Sequence, residues 1–129
     1  MPATLIARDD ARVTTTPNAV MTTLASPTQG ETADLSLWRV AMRPGQSGPE
    51  HRFDTDQAWH LLEGSATVVV DGRDHELVPG DTIVIPRDVV RRISTDTGAA
   101  LVVTGSSAGR ATPVVSGGDG EPVAPAWTA

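Results

Sequence analysis

Short strand-like runs, most of them carrying β-branched residues and set apart by glycine, proline, aspartate or asparagine, constrain this chain more than any other feature. Such runs fall at residues 19–24, 35–42, 57–62, 65–70, 73–77, 82–85, 90–94 and 100–104, and no helical period is sustained over a useful length. Between the fourth and fifth runs stands Asp71-Gly72. A two-residue type I′ turn needs positive φ at both central positions, so this dipeptide predicts a hairpin that pairs 65–70 with 73–77. Pro79-Gly80-Asp81 and Glu63-Gly64 mark further turns. The expectation is an all-β chain whose runs close into a jelly-roll barrel with its core at about residues 19–104.

A chain of 129 residues suits one domain, 1–129, with a modest core and no room for a separate cofactor domain. Past residue 104 the sequence changes character. The stretch 105–129 is rich in Gly, Ser, Pro and Ala with little alternation, and an irregular tail is expected there. Trp127 is its one aromatic residue, with two readings open: packing back onto the barrel or a second subunit, or simple exposure.

A formal net charge of -6 and a pI near 4.8 leave no basic stripe to neutralise phosphates, so neither nucleic acid nor an anionic membrane is an expected partner. No apolar run is long enough to span a bilayer, and MPATLIARDD carries acids where a signal peptide would carry an apolar core. A cytoplasmic protein is the default expectation. Cys, Tyr and Lys do not occur, which removes thiolate nucleophiles, Schiff-base lysines and tyrosine acids from the side-chain chemistry. The exclusive use of Arg for Lys, with abundant Ala, Val, Thr and Gly, is a codon-level association with GC-rich bacterial genomes.

Within PGQSGPEHRFDTDQAWHLLEG, Gly45 is followed by five residues, then His51, one residue, Phe53, three residues, Gln57, six residues and Gly64. A second block, GDTIVIPRDVVRRIST, sets Pro86 five residues after Gly80 and ends its pattern on Arg91. These two blocks resemble, in spacing and order, the two conserved motifs of the cupin superfamily. The likeness covers 35–103. It implies a double-stranded β-helix barrel and, commonly, homodimers. It also implies that His51, Phe53, Gln57 and Arg91 line the mouth of the barrel interior, at positions where the family usually carries metal ligands. Phe53 stands where a histidine is usual, Gln57 where a glutamate is usual, Arg91 where the last histidine is usual, and Asp88 where glycine is usual.

Those departures decide the chemistry. Phe53 cannot ligate, an amide oxygen is a poor ligand for a transition metal, and a guanidinium is a permanent cation that repels one. His51 and Gln57 alone fall short of the three protein ligands of a catalytic zinc site. No cofactor is therefore expected, with a divalent metal on His51 and Gln57, helped by Glu50, Asp54 or Asp56, as the alternative. In the functional reading Arg91 supplies the lost positive charge for a carboxylate, enolate or oxyanion. His51 is then the acid or base, Gln57 orients a polar group, and Phe53 and Trp59 contact substrate. In the competing reading Arg91 reaches the barrel rim and pairs with Asp54, Asp56 or Asp88, and a register slip would turn Arg92 inward instead. Strand alternation puts Gln57, Trp59 and Leu61 on one face with His60 on the other, and His75 follows the hairpin turn, so neither of these two histidines is a site candidate.

Cupin functions range from dioxygenases and sugar epimerases to polyketide cyclases and ligand-binding regulators, so the resemblance does not fix function. Without a credible iron site the dioxygenase roles recede, and without Tyr the epimerase pairing of histidine and tyrosine does too. What is left is cofactor-free isomerisation, cyclisation or elimination on a hydrophobic carbonyl compound, in the manner of a polyketide cyclase of secondary metabolism. The alternatives are a barrel that holds a small anionic ligand on Arg91 without transforming it, and a purely structural homodimer subunit.

Overall fold

The structure, a computed structural model, describes residues 2–116 and 118–129. Twelve strands form among them: β1 Arg12–Thr15, β2 Val20–Ala25, β3 Leu35–Met42, β4 His51–Phe53, β5 Gln57–Gly64, β6 Ala66–Val70, β7 Arg73–Leu77, β8 Thr82–Ile85, β9 Arg91–Ser94, β10 Ala99–Ser106, β11 Ala111–Val115 and β12 Gly118–Asp119. Single 3-10 turns occupy Arg8–Asp10 and Ala126–Thr128. The strands assemble into two six-stranded antiparallel sheets, in the orders β1-β2-β3-β10-β5-β8 and β12-β11-β4-β9-β6-β7. The chain crosses from one sheet to the other after β3, β4, β5, β7, β8, β9 and β10, which is jelly-roll wiring.

Alternation decides which side chains enter the core. On β3, Ser36, Trp38, Val40 and Met42 are buried while the residues between them are half-buried. On β5 the same holds for Gln57, Trp59 and Leu61. Val68, Ile93, Leu101, Val103 and Ile85 complete the layer between the sheets. Burying one such aliphatic side chain stabilises by about 1.5–3 kcal/mol, so these positions account for most of the hydrophobic drive to close the barrel.

The hairpin at Asp71-Gly72 forms with the expected register, Val70 opposite Arg73, and both turn residues have positive φ, 50° and 77°. Four strands escape the sequence pattern: β1, β4, β11 and β12. The expectation of an irregular tail is corrected here. Residues of β11 pair with β4, with Ala111 opposite Phe53 and Pro113 opposite His51. Beyond it, Val123 exchanges two 2.8 Å backbone hydrogen bonds with Ala111. Pro113 hid this strand from a propensity reading, since proline lacks the N–H of an interior ladder. Of the two readings of Trp127, packing back onto the barrel is the one found: it lies against the core, and its carbonyl accepts a 2.8 Å hydrogen bond from Thr23 Oγ1.

No helix among the described residues is long and apolar enough to cross a membrane.

Candidate functional site

A partly open cavity of about 500 Å³ lies inside the barrel, with walls that are almost wholly apolar. Trp38, Val40, Trp59 and Ile93 line it from the two sheets, and His51 and Phe53 from β4. Among the described residues His51 is the single ionisable side chain on its wall.

The short strand β4 places His51 because it is clamped on both sides, against β11 and against β9, where His51 stands opposite Arg91. Its imidazole Nδ1 lies 2.9 Å from the Pro49 carbonyl oxygen, an acceptor, so Nδ1 carries the proton and Nε2 keeps its lone pair. Burial pushes the imidazole's pKa below the ordinary histidine range. The bond to Pro49 opposes that shift, and the positive charge of Arg91 adds to it. His51 is thus neutral at neutral pH, with a basic nitrogen available.

Arg91 is 1% exposed, and its guanidinium makes three hydrogen bonds: Nε to Val89 O at 3.0 Å, Nη1 to Gln57 Oε1 at 3.3 Å and Nη2 to Pro86 O at 3.1 Å. Its Cζ lies 5.6 Å from the centroid of the Phe53 ring, a cation-π contact. Burial pushes its pKa down to about 10, which leaves it charged at neutral pH. The rim ion pair is overturned. Asp54 and Asp56 instead accept backbone N–H groups of Arg110 and Arg87, at 2.7 and 2.8 Å. Among the described residues no carboxylate comes within 4.0 Å of the Arg91 guanidinium. Nor does the strand slip, since Arg92 is exposed and donates Nε to Gly48 O. Asp88 adopts φ 65°, which explains why glycine suits its place in the second block and why a short polar residue tolerates it.

Gln57 is 3% exposed, and its Oε1 also accepts the Trp59 indole N–H at 3.0 Å. The structure therefore divides the five residues read from the sequence. His51, Phe53 and Trp59 line the cavity, whereas Gln57 and Arg91 form a hydrogen-bonded layer packed behind Phe53 and Trp59 rather than the cavity wall itself. Alternation located both groups on inward faces but could not say which side chains would be screened by aromatic rings. Met21, Pro113 and Trp127 also line the cavity, and the tail residues among them carried no pattern that would have found them. His60 and His75 lie off the cavity; His60 Nδ1 meets Thr82 Oγ1 at 2.7 Å and His75 is exposed.

A transition metal at the usual cupin position does not fit this donor set. Gln57 Oε1 is engaged by two N–H donors, a buried cation occupies the place of one ligand, and Phe53 offers no donor atom. No group of three or more His, Cys, Asp or Glu side chains able to hold a metal occurs among the described residues.

The sequence profile described as "Cupin domain" matches residues 38–105. This chain belongs to the cupin family. Solved structures share the architecture. An RmlC-like cupin from Shewanella frigidimarina superposes with a TM-score of 0.68 at 22% identity, covering 78% of this chain and 87% of its own. The polyketide cyclase RemF from Streptomyces resistomycificus gives 0.68 at 24% identity, covering 80% and 78%. A salicylate 1,2-dioxygenase from Pseudoaminobacter salicylatoxidans gives 0.67 at 21% identity, covering 74% of this chain and 27% of its own. At such identities the likeness shows the fold. No curated protein matches the chain in sequence.

Proposed function

We propose that this cupin binds a hydrophobic carbonyl compound in its barrel cavity and moves a proton on it, using His51 as the acid and base and no redox metal. The observation that carries the reading is one neutral imidazole, its Nδ1 tied to Pro49, facing an otherwise apolar cavity of about 500 Å³. Apolar walls favour an apolar substrate, and the lowered pKa keeps Nε2 unprotonated at neutral pH and so free to accept a proton from an activated C–H. The α-carbon's C–H bond breaks, its proton passes to Nε2, and the electron pair moves onto the carbonyl oxygen as an enolate. Return of that proton from Nε2 to another carbon of a conjugated enolate gives isomerisation. Attack of the enolate carbon on a second carbonyl of the same molecule breaks that carbonyl's π bond, and its oxygen takes the proton from Nε2, which gives cyclisation. Arg91 acts from behind Phe53: its buried charge favours the developing anion, and its bond to Gln57 Oε1, which also accepts the Trp59 indole N–H, holds Trp59 in the wall. Likeness of fold to a polyketide cyclase supports cyclisation as the reaction type.

A second reading, a barrel that binds without transforming, is favoured by one observation. His51 reaches the cavity while the Arg91 guanidinium does not, so acid, base and anion stabiliser do not converge on a point. Proton exchange separates the two. Aryl 1,3-diketones incubated with the protein in deuterated buffer are followed by proton NMR. Loss of the α-proton signal faster than in buffer, abolished in His51→Gln while binding persists, supports catalysis. Binding without acceleration supports the second reading, and absence of both overturns the cavity as a ligand site.

A further inference from the structure

The carboxy-terminal segment completes a cavity that the barrel strands alone leave unwalled. Pro125 and Trp127 line it together with Pro113 of β11. Two core positions exist to hold this segment. Thr23 and Ser36 are fully buried on β2 and β3, Ser36 in the same inward series as Trp38 and Val40, where alternation calls for an apolar residue. Thr23 Oγ1 donates to the Trp127 carbonyl at 2.8 Å, and Ser36 Oγ donates to the Thr128 carbonyl at 2.6 Å. Each buried hydroxyl is thereby satisfied by the tail's backbone, which explains its presence in the core. Arg12 Nη2 and Thr28 Oγ1 both reach Ala129 O at 2.7 Å, and Thr128 Oγ1 closes the turn on Pro125 O at 3.1 Å.

These docking bonds use backbone carbonyls of the segment, so the indole of Trp127 takes no part in them. It remains partly buried against the core while lining the cavity. We propose that Trp127 is a specificity-determining residue: the latch presents its indole as a fixed wall that favours a flat, compact apolar ligand and excludes a longer one. The inference rests on the reading of the cavity as the ligand site. Its physical basis is that an aromatic face adds stacking energy to area burial, and that a wall tied at several points cannot yield to an oversized ligand without breaking buried hydrogen bonds.

The test compares two neutral fluorescent probes, N-phenyl-1-naphthylamine as the compact one and Nile red as the larger, by titration of the full chain. Variants are Trp127→Ala, Trp127→Phe and the double variant Thr23→Val with Ser36→Ala, each checked for folding by circular dichroism. The expected result is that Trp127→Ala weakens the compact probe and strengthens the larger one, moving the ratio of dissociation constants by roughly tenfold. Trp127→Phe moves it less. The double variant, which removes the segment's two buried anchors and keeps the indole, moves it in the same direction as Trp127→Ala. Equal weakening of both probes with an unchanged ratio, in Trp127→Ala or, should that variant not fold, in the double variant, overturns the inference while leaving the cavity reading standing. Binding of neither probe to the wild-type chain overturns the cavity reading, and this inference with it.

Discussion

His51 and Arg91 stand opposite each other across the β4–β9 pairing, and Phe53 contacts both, 5.5 Å from the His51 ring centroid and 5.6 Å from Arg91 Cζ. The imidazole lines the cavity and the guanidinium lies behind the aromatic ring. Charge and base thus share one aromatic neighbour. A cation placed this way influences its neighbour through the field rather than by contact, as its contribution to the lowered pKa of His51 shows.

Arg91 fans three hydrogen bonds from a planar group, to two carbonyls and an amide oxygen. Lysine carries its three donors on one atom and cannot reproduce that spread, yet it keeps a charge in the same buried place. Arg91→Lys is therefore expected to lose about 3 kcal/mol of stability in urea unfolding. Arg91→Met, which removes the charge, should lose less despite being the less similar residue. Wild-type stability in Arg91→Lys would contradict the buried geometry.

The depressed pKa of His51 has a fixed sign for stability. Below the unfolded value near 6.5 the unfolded chain takes up a proton that the folded imidazole resists. Stability is therefore full above about 6.5 and falls as pH drops through the folded pKa. Urea midpoints measured from about pH 7.5 down to about pH 5, a span that brackets the unperturbed histidine value, should decline more steeply for the wild type than for His51→Gln. Parallel curves would show that His51 is not desolvated. The same neutral form is the base in the proposed proton transfer, so any exchange activity should also decline toward acid pH.

A donor set of one imidazole nitrogen and one doubly engaged amide oxygen holds a divalent ion weakly. Elemental analysis of the protein, desalted after incubation with manganese, iron, nickel and zinc, is expected to find each well below one ion per chain. Chelation is expected to leave the melting temperature unchanged. One tightly held ion per chain would reverse the reading and bring Glu50, Asp54 or Asp56 forward as ligands.

Much of the barrel was legible because period-two burial and turn chemistry act locally. The β6–β7 hairpin follows from Asp71-Gly72, and β3, β7 and β8 coincide with the runs read between turn signals. The site was legible only as positions. The spacing that selects His51, Phe53, Gln57 and Arg91 reports which residues occupy inward faces of paired strands. Whether a side chain meets the cavity or hides behind a ring is a tertiary outcome, and here Phe53 and Trp59 screen Arg91 and Gln57. The tail was illegible for a different reason: β11 and the turn at Trp127 are held by partners more than 50 residues away in sequence, such as Phe53, Thr23 and Ser36, which no local pattern encodes.

Gly64, the glycine that closes the first spaced block, is the most demanding backbone position of that block, and Gly72 provides its control. Both have positive φ, 82° and 77°, a region that costs an L side chain about 1–2 kcal/mol. They differ in the space around them. A Cβ on Gly72 meets nothing within 4 Å, whereas a Cβ on Gly64 would overlap the backbone carbonyl oxygen of Gly98. That carbonyl is committed, since it accepts the Ser65 N–H at 3.1 Å, and the β5–β10 register shifts between Ala100 and Leu101 beside it. Backbone in a paired strand cannot give way as a flexible side chain can. Gly72→Ala is accordingly expected to lose about 1–2 kcal/mol and keep a two-state urea transition, because only the conformational term applies. Gly64→Ala adds the clash to the same term and is expected to lose more than about 4 kcal/mol, or to fail to fold, a loss of the size reserved for strain at special backbone positions. Equal losses in the two variants would mean that β5 and β10 approach less closely at Gly64 than their backbone geometry requires.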